Sequence, residues 1–281
     1  MIKRQKILFS DLDATLLNDR KEIEKGTRAA IDAMLAQGHL FAACTGRPFA
    51  SALKTVRQFG LDTKGCYIVS YNGGAIYDPS CDKMISYASI PLPVVRRMFA
   101  EAQKAGLYIH TYDRNQADMV LACREGPQLQ AYTAHTKLPY RAGADVLDTL
   151  TDAPAKMIVI SLDDSERLAQ FQKENAGWAA EHLNSFFSCE QYLEYCPAGI
   201  SKGAVLKKLC AYLNIPVEDA VAAGDERNDI SMIQEAGVGA APRNAYPAVK
   251  ECADYVCAKD NNEGAVGEMI QKFILQECVQ V

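Results

Sequence analysis

Residues 6–15 read Lys-Ile-Leu-Phe-Ser-Asp-Leu-Asp-Ala-Thr: an apolar run that stops abruptly at Asp11 and Asp13. Lys6–Phe9 has the length and composition of a fully buried strand. Two carboxylates just past its carboxyl end lie where open parallel sheets bind ligands. They could equally cap a turn or the next helix. The sequence after them has a recognisable grammar. Ile23–Gln37 sets Thr27, Ile31, Met34 and Leu35 on one helical face and stops at Gly38. Leu40–Cys44 is a second apolar strand, a helix opens at Pro48, and Cys66–Tyr71 is a third strand. Strands alternating with helices predict a parallel sheet covered on both faces.

The last third of the chain repeats the pattern. Lys202–Leu213 carries Leu206, Leu209, Cys210 and Leu213 on one helical face. Strands are predicted over Val217–Ala223, Val238–Ala241 and Tyr255–Ala258, with helices over Asn228–Glu235 and Glu263–Gln276. Between the two halves, strands follow one another without an intervening helix. Lys83–Ile90, Leu107–Tyr112, Met119–Cys123, Met157–Leu162 and Phe186–Tyr195 read as strands, Val94–Ala105 and Ser165–Asn175 as helices. That succession predicts a largely antiparallel α+β domain. The expected fold is therefore α/β: a Rossmann-like parallel-sheet core from residues 1–82 and 197–281, with an α+β cap domain inserted over 83–196.

At 281 residues the chain suits about two domains. With 49% hydrophobic and 23% charged residues it has ample material for a core. The net charge of −5, with no dense Lys/Arg run, argues against a nucleic-acid partner. No apolar stretch reaches the roughly 18–20 residues of a membrane span. The basic start Met1–Lys6 leads into an apolar run too short for a secretory signal, so a cytoplasmic protein is expected. The ten cysteines, from Cys44 to Cys278, fit no zinc or disulfide spacing and read as reduced core residues. His39, His110, His135 and His182 are dispersed and match no metal spacing.

More chemistry sits at other strand ends. The strand ending at Ala223 leads into Gly224-Asp225-Glu226-Arg227-Asn228-Asp229. If it neighbours the first strand, Asp11, Asp13, Asp225 and Asp229 converge. Like charges that close raise one another's pKa unless a cation joins them, and oxygen donors without His or Cys favour Mg²⁺. Asp229 could instead serve the first turn of the next helix. Thr45-Gly46-Arg47-Pro48 offers a hydroxyl and backbone N–H groups at a helix start, suited to a phosphate oxygen or to simple capping. Lys202 opens a helix, against the helix dipole, which an anion nearby would explain. Asn72-Gly73-Gly74 is a hairpin-turn signal. Arg47 could meet a second anionic group or be solvated.

The ordered set Asp11-x-Asp13-x-Thr15, Thr45-Gly46-Arg47, Lys202 and Gly224-Asp225-x-x-Asn228-Asp229 resembles the haloacid dehalogenase superfamily. The insertion between the second and third motifs resembles the C2-type cap of its Cof-like subfamily IIB phosphatases. The resemblance spans essentially the whole chain. It implies a hydrolase, a Mg²⁺-dependent phosphatase of small phosphorylated metabolites such as sugar, nucleotide or flavin phosphates. By position, Asp11 matches the nucleophile that forms an aspartyl phosphate, and Asp13 the general acid, whose backbone carbonyl is also a metal ligand. Thr45 matches the residue that hydrogen-bonds a phosphoryl oxygen, and Lys202 the balancing cation. Asp225 matches a direct metal ligand, and Asn228 and Asp229 supporting residues. The substrate-side candidates are Leu12, Gly46, Arg47, Asn72, Gly73 and Asn228. An acid must be protonated to act, so Asp13 is expected to titrate above the free value of about 4. The sequence departs from the family at Ala14, where Gly is usual. A phosphomutase, or a non-catalytic sensor of phosphorylated metabolites, is the alternative. A monomer or weak homo-oligomer is expected.

Overall fold

The computed structural model describes residues 4–276, and of His135 only the backbone. Met1–Lys3 and Cys278 lie outside the described residues. Two sheets organise the chain. The first opens with β1 (Ile7–Ser10), β2 (Leu40–Cys44), β3 (Cys66–Ser70), β4 (Ala75–Asp78) and β5 (Lys83–Tyr87). The chain then builds the second sheet from β6 (Tyr108–Asp113), β7 (Met119–Ala122), β8 (Tyr140–Ala142), β9 (Met157–Ile160), β10 (Leu183–Cys189) and β11 (Tyr192–Pro197). It returns to the first with β12 (Ala220–Ala223), β13 (Val238–Ala241) and β14 (Tyr255–Val256).

The first sheet has the order β14-β13-β12-β1-β2-β3-β4-β5. From β14 to β3 every pairing is parallel, while β4 and β5 are joined antiparallel. β1 and β12 are buried at every position, as strands covered on both faces must be. One face packs Leu8, Phe41, Ile68 and Val221 against the helices Lys25–Ala36, Phe49–Gln58 and Ala265–Ile270. The other packs Ile7, Phe9, Val69 and Ala222 against Leu206 and Leu209 of the helix Lys202–Leu213. This is the expected α/β core. β1 lies between β12 and β2, and the later strands are added outward on either side of it, so the strand order reverses there. Three carboxyl ends frame a crevice there.

The second sheet runs β10-β11-β9-β6-β7-β8 and is antiparallel except for β7 with β8. Its core holds Val95, Met98 and Phe99 of the helix Leu92–Lys104, with Leu168 and Phe171 of the helix Ser165–Ala179.

Three local expectations change. Lys83–Tyr87, assigned by sequence to the inserted domain, pairs with β4 and extends the core sheet. Successive strands without a helix also describe a hairpin added to a parallel sheet. Phe186–Tyr195 is not one strand but the hairpin β10–β11. Only Glu190 and Gln191 lie between the two strands, and this two-residue turn holds no Gly, Pro or Asn to mark the break. The helix Pro127–Thr136 and β8 were not anticipated, because neither buries a regular stripe. Among the described residues, no helix is long and apolar enough to cross a membrane. The described cysteines are unpaired, and Cys81 and Cys189 are exposed rather than buried in the core.

Candidate active site

β1 ends at Ser10, and the Asp11 N–H continues the ladder, donating to the Ala223 carbonyl at 2.8 Å. That bond sets residue 11 beside the end of β12, where Gly224-Asp225 begins. Gly224 is required there: a Cβ on it would lie 2.3 Å from the Asp229 Cβ. With no side chain in the way, Asp229 folds back under its own loop. Its Oδ2 accepts from the Asp225 and Glu226 N–H groups, both at 3.0 Å. Its Oδ1 accepts from Lys202 Nζ at 2.5 Å.

Lys202 reaches the crevice from the start of its helix, fully buried, and also donates to Asp11 Oδ1 at 2.6 Å. The misfit with the helix dipole is resolved by these two carboxylates. Burial alone would lower its pKa, but Asp11 and Asp229 outweigh that and hold it above its ordinary value. Asp11, Asp225 and Asp229 each present a carboxylate oxygen, all within 4.8 Å of one another and all buried. Asp11 is pushed well above the usual carboxylate range by burial, against Lys202, and by the charges of Asp229 and Asp225. Asp225 is pushed up to about 7, first by burial and then by Asp229. A hydrogen bond from Thr15 Oγ1 to Asp225 Oδ1 at 2.6 Å acts in the other direction. Three carboxylates thus share one buried ammonium. Oxygen-only donors with surplus negative charge fit a hard divalent cation such as Mg²⁺. Asp11 and Asp225 would hold it. Asp229 has both oxygens engaged and fits a supporting place.

Asp13 stands apart from this group. Its carboxylate turns to Arg47, which grips it at 2.8 and 2.6 Å, and to Lys21 at 2.8 Å. Burial pushes its pKa up, but Arg47 and Lys21 prevail and hold it at about 2. The expectation that Asp13 titrates above the free value is therefore wrong for this arrangement. Arg47 is not left to solvent: it is tied to Asp13 and, by Nη1, to Thr55. Ala14, between Asp13 and Thr15, has φ +56°, the left-handed region where a Cβ is strained. Asn244 braces it, donating from Nδ2 to the Ala14 carbonyl at 2.8 Å.

Thr45 follows β2. Its N–H bonds the Val69 carbonyl, and its Oγ1 accepts from the Arg47 N–H at 3.1 Å. A cavity of about 720 Å³ opens here, lined by Asp11, Asp13, Thr45, Gly46, Arg47, Asp225, Asn228 and Asp229 from the core. Leu12, Asn72, Gly73 and Lys202 lie behind its wall. Leu12 is packed in the core, and Gly73 sits so near Ser201 that a Cβ would come within 2.7 Å of the Ser201 carbonyl oxygen. Asn72 does turn the hairpin between β3 and β4, with φ +56°, yet its amide also works in the site. It accepts from Asn228 and donates to Glu194.

The inserted segment closes the cavity with Tyr132 of the helix Pro127–Thr136, Lys156 just before β9, and Ile158, Ser188, Tyr192 and Glu194 of the second sheet. Lys156 and Glu194 went unnoticed in the sequence. The available signal was a charged residue inside a run of buried positions, Tyr-Leu-Glu-Tyr-Cys at 192–196, where a charge is seldom left without a partner.

The sequence profile of haloacid dehalogenase-like hydrolases matches residues 8–270. A relative from Bacillus subtilis, the 5-amino-6-(5-phospho-D-ribitylamino)uracil phosphatase YitU, is 28% identical over 96% of this chain and 98% of its own. A haloacid dehalogenase-like hydrolase from Bacteroides thetaiotaomicron superposes with a TM-score of 0.84 at 30% identity, covering 95% and 99% of the two chains. The fold is shared with the subclass IIB sugar phosphatase BT4131, TM-score 0.80 at 20% identity, covering 96% and 99%. A match over nearly the whole chain, on a core that carries a buried Asp–Lys–Asp cluster at its strand ends, shows that it belongs to the haloacid dehalogenase-like hydrolases.

Proposed function

We propose that the chain is a Mg²⁺-dependent phosphatase that hydrolyses small phosphorylated metabolites through a phosphoryl group carried transiently on Asp11. One observation carries this reading: Asp11 lies at the cavity floor, held at 2.6 Å by a fully buried Lys202 and flanked by Asp225 and Asp229. A nucleophilic carboxylate divides one difficult displacement into two easier ones. An Asp11 oxygen bonds to phosphorus as the bond to the substrate's ester oxygen breaks, and the departing alcohol takes a proton from Asp13. Water then attacks the same phosphorus and gives a proton to Asp13, freeing phosphate and the Asp11 carboxylate. Phosphoryl transfer is mostly positioning and neutralisation. Lys202 balances Asp11 and the incoming phosphate, Thr45 with the Gly46 and Arg47 backbone orients phosphoryl oxygens, and Asn228 braces the loop opposite. Asp11 and Asp225, with the Asp13 carbonyl, would hold a divalent cation, which would supply charge screening between nucleophile and phosphate.

Asp13 can serve as the acid only once Arg47 releases it. A substrate anion that recruits Arg47 would do this. The core comprises residues up to about 88 and from about 198, with the cap between them supplying the roof. Tyr132, Ser188 and Tyr192 offer hydroxyls and rings to a leaving group. Such a lining suits a polyol or ring-bearing alcohol, the kind of molecule named for YitU. The test is phosphate release by the Mg²⁺-loaded protein from p-nitrophenyl phosphate and a panel of sugar, nucleotide and flavin phosphates. Turnover that disappears in Asp11→Asn supports the reading. A bisphosphorylated product without free phosphate marks a phosphomutase. Binding without turnover marks a sensor.

A further inference from the structure

Two charged side chains of the second sheet are as buried as its aliphatic core. Lys156 precedes β9 and Glu194 lies in β11, the neighbouring strand. Their side chains are 2% and 5% exposed, and Nζ lies 3.0 Å from Oε2. Burying an ion pair returns its desolvation cost only when the remaining hydrogen-bonding positions are filled, and an apolar pair would hold two strands as well. Here those positions are filled largely from the other domain. Lys156 Nζ donates to the Gly46 carbonyl at 2.7 Å. Glu194 Oε2 accepts from Asn72 Nδ2 at 2.6 Å, while Oε1 accepts from Ser188 at 2.8 Å.

The path continues into the core. The Asn72 Oδ1 accepts from Asn228 Nδ2 at 3.0 Å, and the Asn72 N–H donates to the Thr45 carbonyl at 3.0 Å. One buried ion pair therefore connects to the Thr45–Arg47 turn and to the Gly224–Asp229 loop, the two segments that carry the phosphate-side and metal-side groups.

We propose that Lys156 and Glu194 are positioning residues of the phosphoryl-transfer site: seated over the core, they fix Gly46 and Asn72, and through Asn72 they fix Asn228. The site is then complete only with the inserted domain in place, so enclosure of the substrate and alignment of the loops occur together. This inference rests on the phosphatase reading. It accounts for a charged pair where strand packing alone needs none.

The test uses Lys156→Met, Glu194→Gln and the double variant. Each single change leaves one buried charge or polar group unmatched, so loss of stability is expected whatever the role. The double variant removes both charges and recovers a melting temperature within a few degrees of the unaltered chain. Two quantities are then read on it: steady-state turnover of p-nitrophenyl phosphate with Mg²⁺, and amide hydrogen exchange over residues 45–48 and 71–74. We expect kcat at least tenfold lower with KM changed less than threefold, and exchange at least tenfold faster. A folded double variant with kcat within twofold of the unaltered chain and unchanged exchange overturns the proposal. If the unaltered chain releases no phosphate from any ester, the phosphatase reading fails by itself. Exchange then decides the positioning alone, and unchanged rates reject it.

Discussion

Arg47 and Asp13 form a two-pronged ion pair across the mouth of the cavity, Nε to Oδ2 at 2.8 Å and Nη2 to Oδ1 at 2.6 Å. Paired donors of this geometry are strong and directional. They keep the Asp13 carboxylate ionised and turned away from Asp11, in a resting arrangement. Arg47→Gln is expected to raise the Asp13 pKa from about 2 towards the ordinary carboxylate range, with Lys21 still lowering it. Carboxyl NMR titration, assigned by Asp13→Asn, measures this. A value that stays near 2 would show that Arg47 does not hold the group.

Ala14 stands at φ +56° where a glycine would be relaxed. The left-handed region costs an L-residue about 1–2 kcal/mol, and glycine returns part of that gain through its freer unfolded chain. Ala14→Gly should stabilise the fold by roughly 0.5–1 kcal/mol, which is about 1–3 °C in a chain of this size. Calorimetry tests it, with turnover at least as fast as before. A lower melting temperature would contradict the strain.

Asp225 titrates near 7 because burial and the Asp229 charge disfavour its ionised form. A carboxyl whose pKa is raised on folding stabilises fully below its unfolded pKa, and that contribution is lost as pH rises through about 7. At pH 8 without a divalent cation, Asp225 is a net cost. Asp225→Asn should then raise the stability of the chelated protein by about 2 kcal/mol. It should also abolish turnover and any Mg²⁺-induced rise in melting temperature. The stability–function conflict is what a charge-holding site predicts. A destabilised Asp225→Asn that still responds to Mg²⁺ would refute it.

His110 is enclosed in the second sheet, Nδ1 3.2 Å from the Tyr108 hydroxyl and Nε2 2.9 Å from that of Tyr112. Burial, and then the charge of Lys156, push its pKa down to about 3. The folded imidazole stays neutral while the unfolded one charges near 6.5. Its contribution is therefore full above pH 6.5 and lost as pH falls towards 3. At pH 5 the loss is about 2 kcal/mol. Urea unfolding at pH 7.5 and pH 5 should show this difference shrinking by that amount in His110→Phe. Equal slopes for the two proteins would count against it.

The core was legible because its signals are local. A strand such as Leu40–Cys44, buried on both faces, is an apolar run whatever its partners, and Lys202–Leu213 carries its stripe in sequence. The acid cluster was legible because Asp11 follows such a strand directly and Asp225 follows one after a single glycine. What stayed hidden depends on contacts between distant segments. Nothing near Asp13 reveals that Arg47, 34 residues on, will turn it from the cluster. Lys156 and Glu194 look like surface charges until β9 and β11 pair and the second sheet meets the core. Lys83–Tyr87 has the pattern of any half-buried strand, and its sheet is chosen by the hairpin from β4. Ala14 was visible as a departure, but only the backbone shows that positive φ is what it must tolerate.

The central claim is that Asp11 carries the phosphoryl group. The most direct measurement is acid quenching of the Mg²⁺-loaded protein during turnover of ³²P-labelled acetyl phosphate, followed by peptide mapping. Label on the peptide containing Phe9–Thr15, lost on hydroxylamine treatment and absent in Asp11→Asn, is the predicted result. Sustained phosphate release with no label on that peptide, or release undiminished in Asp11→Asn, would contradict it.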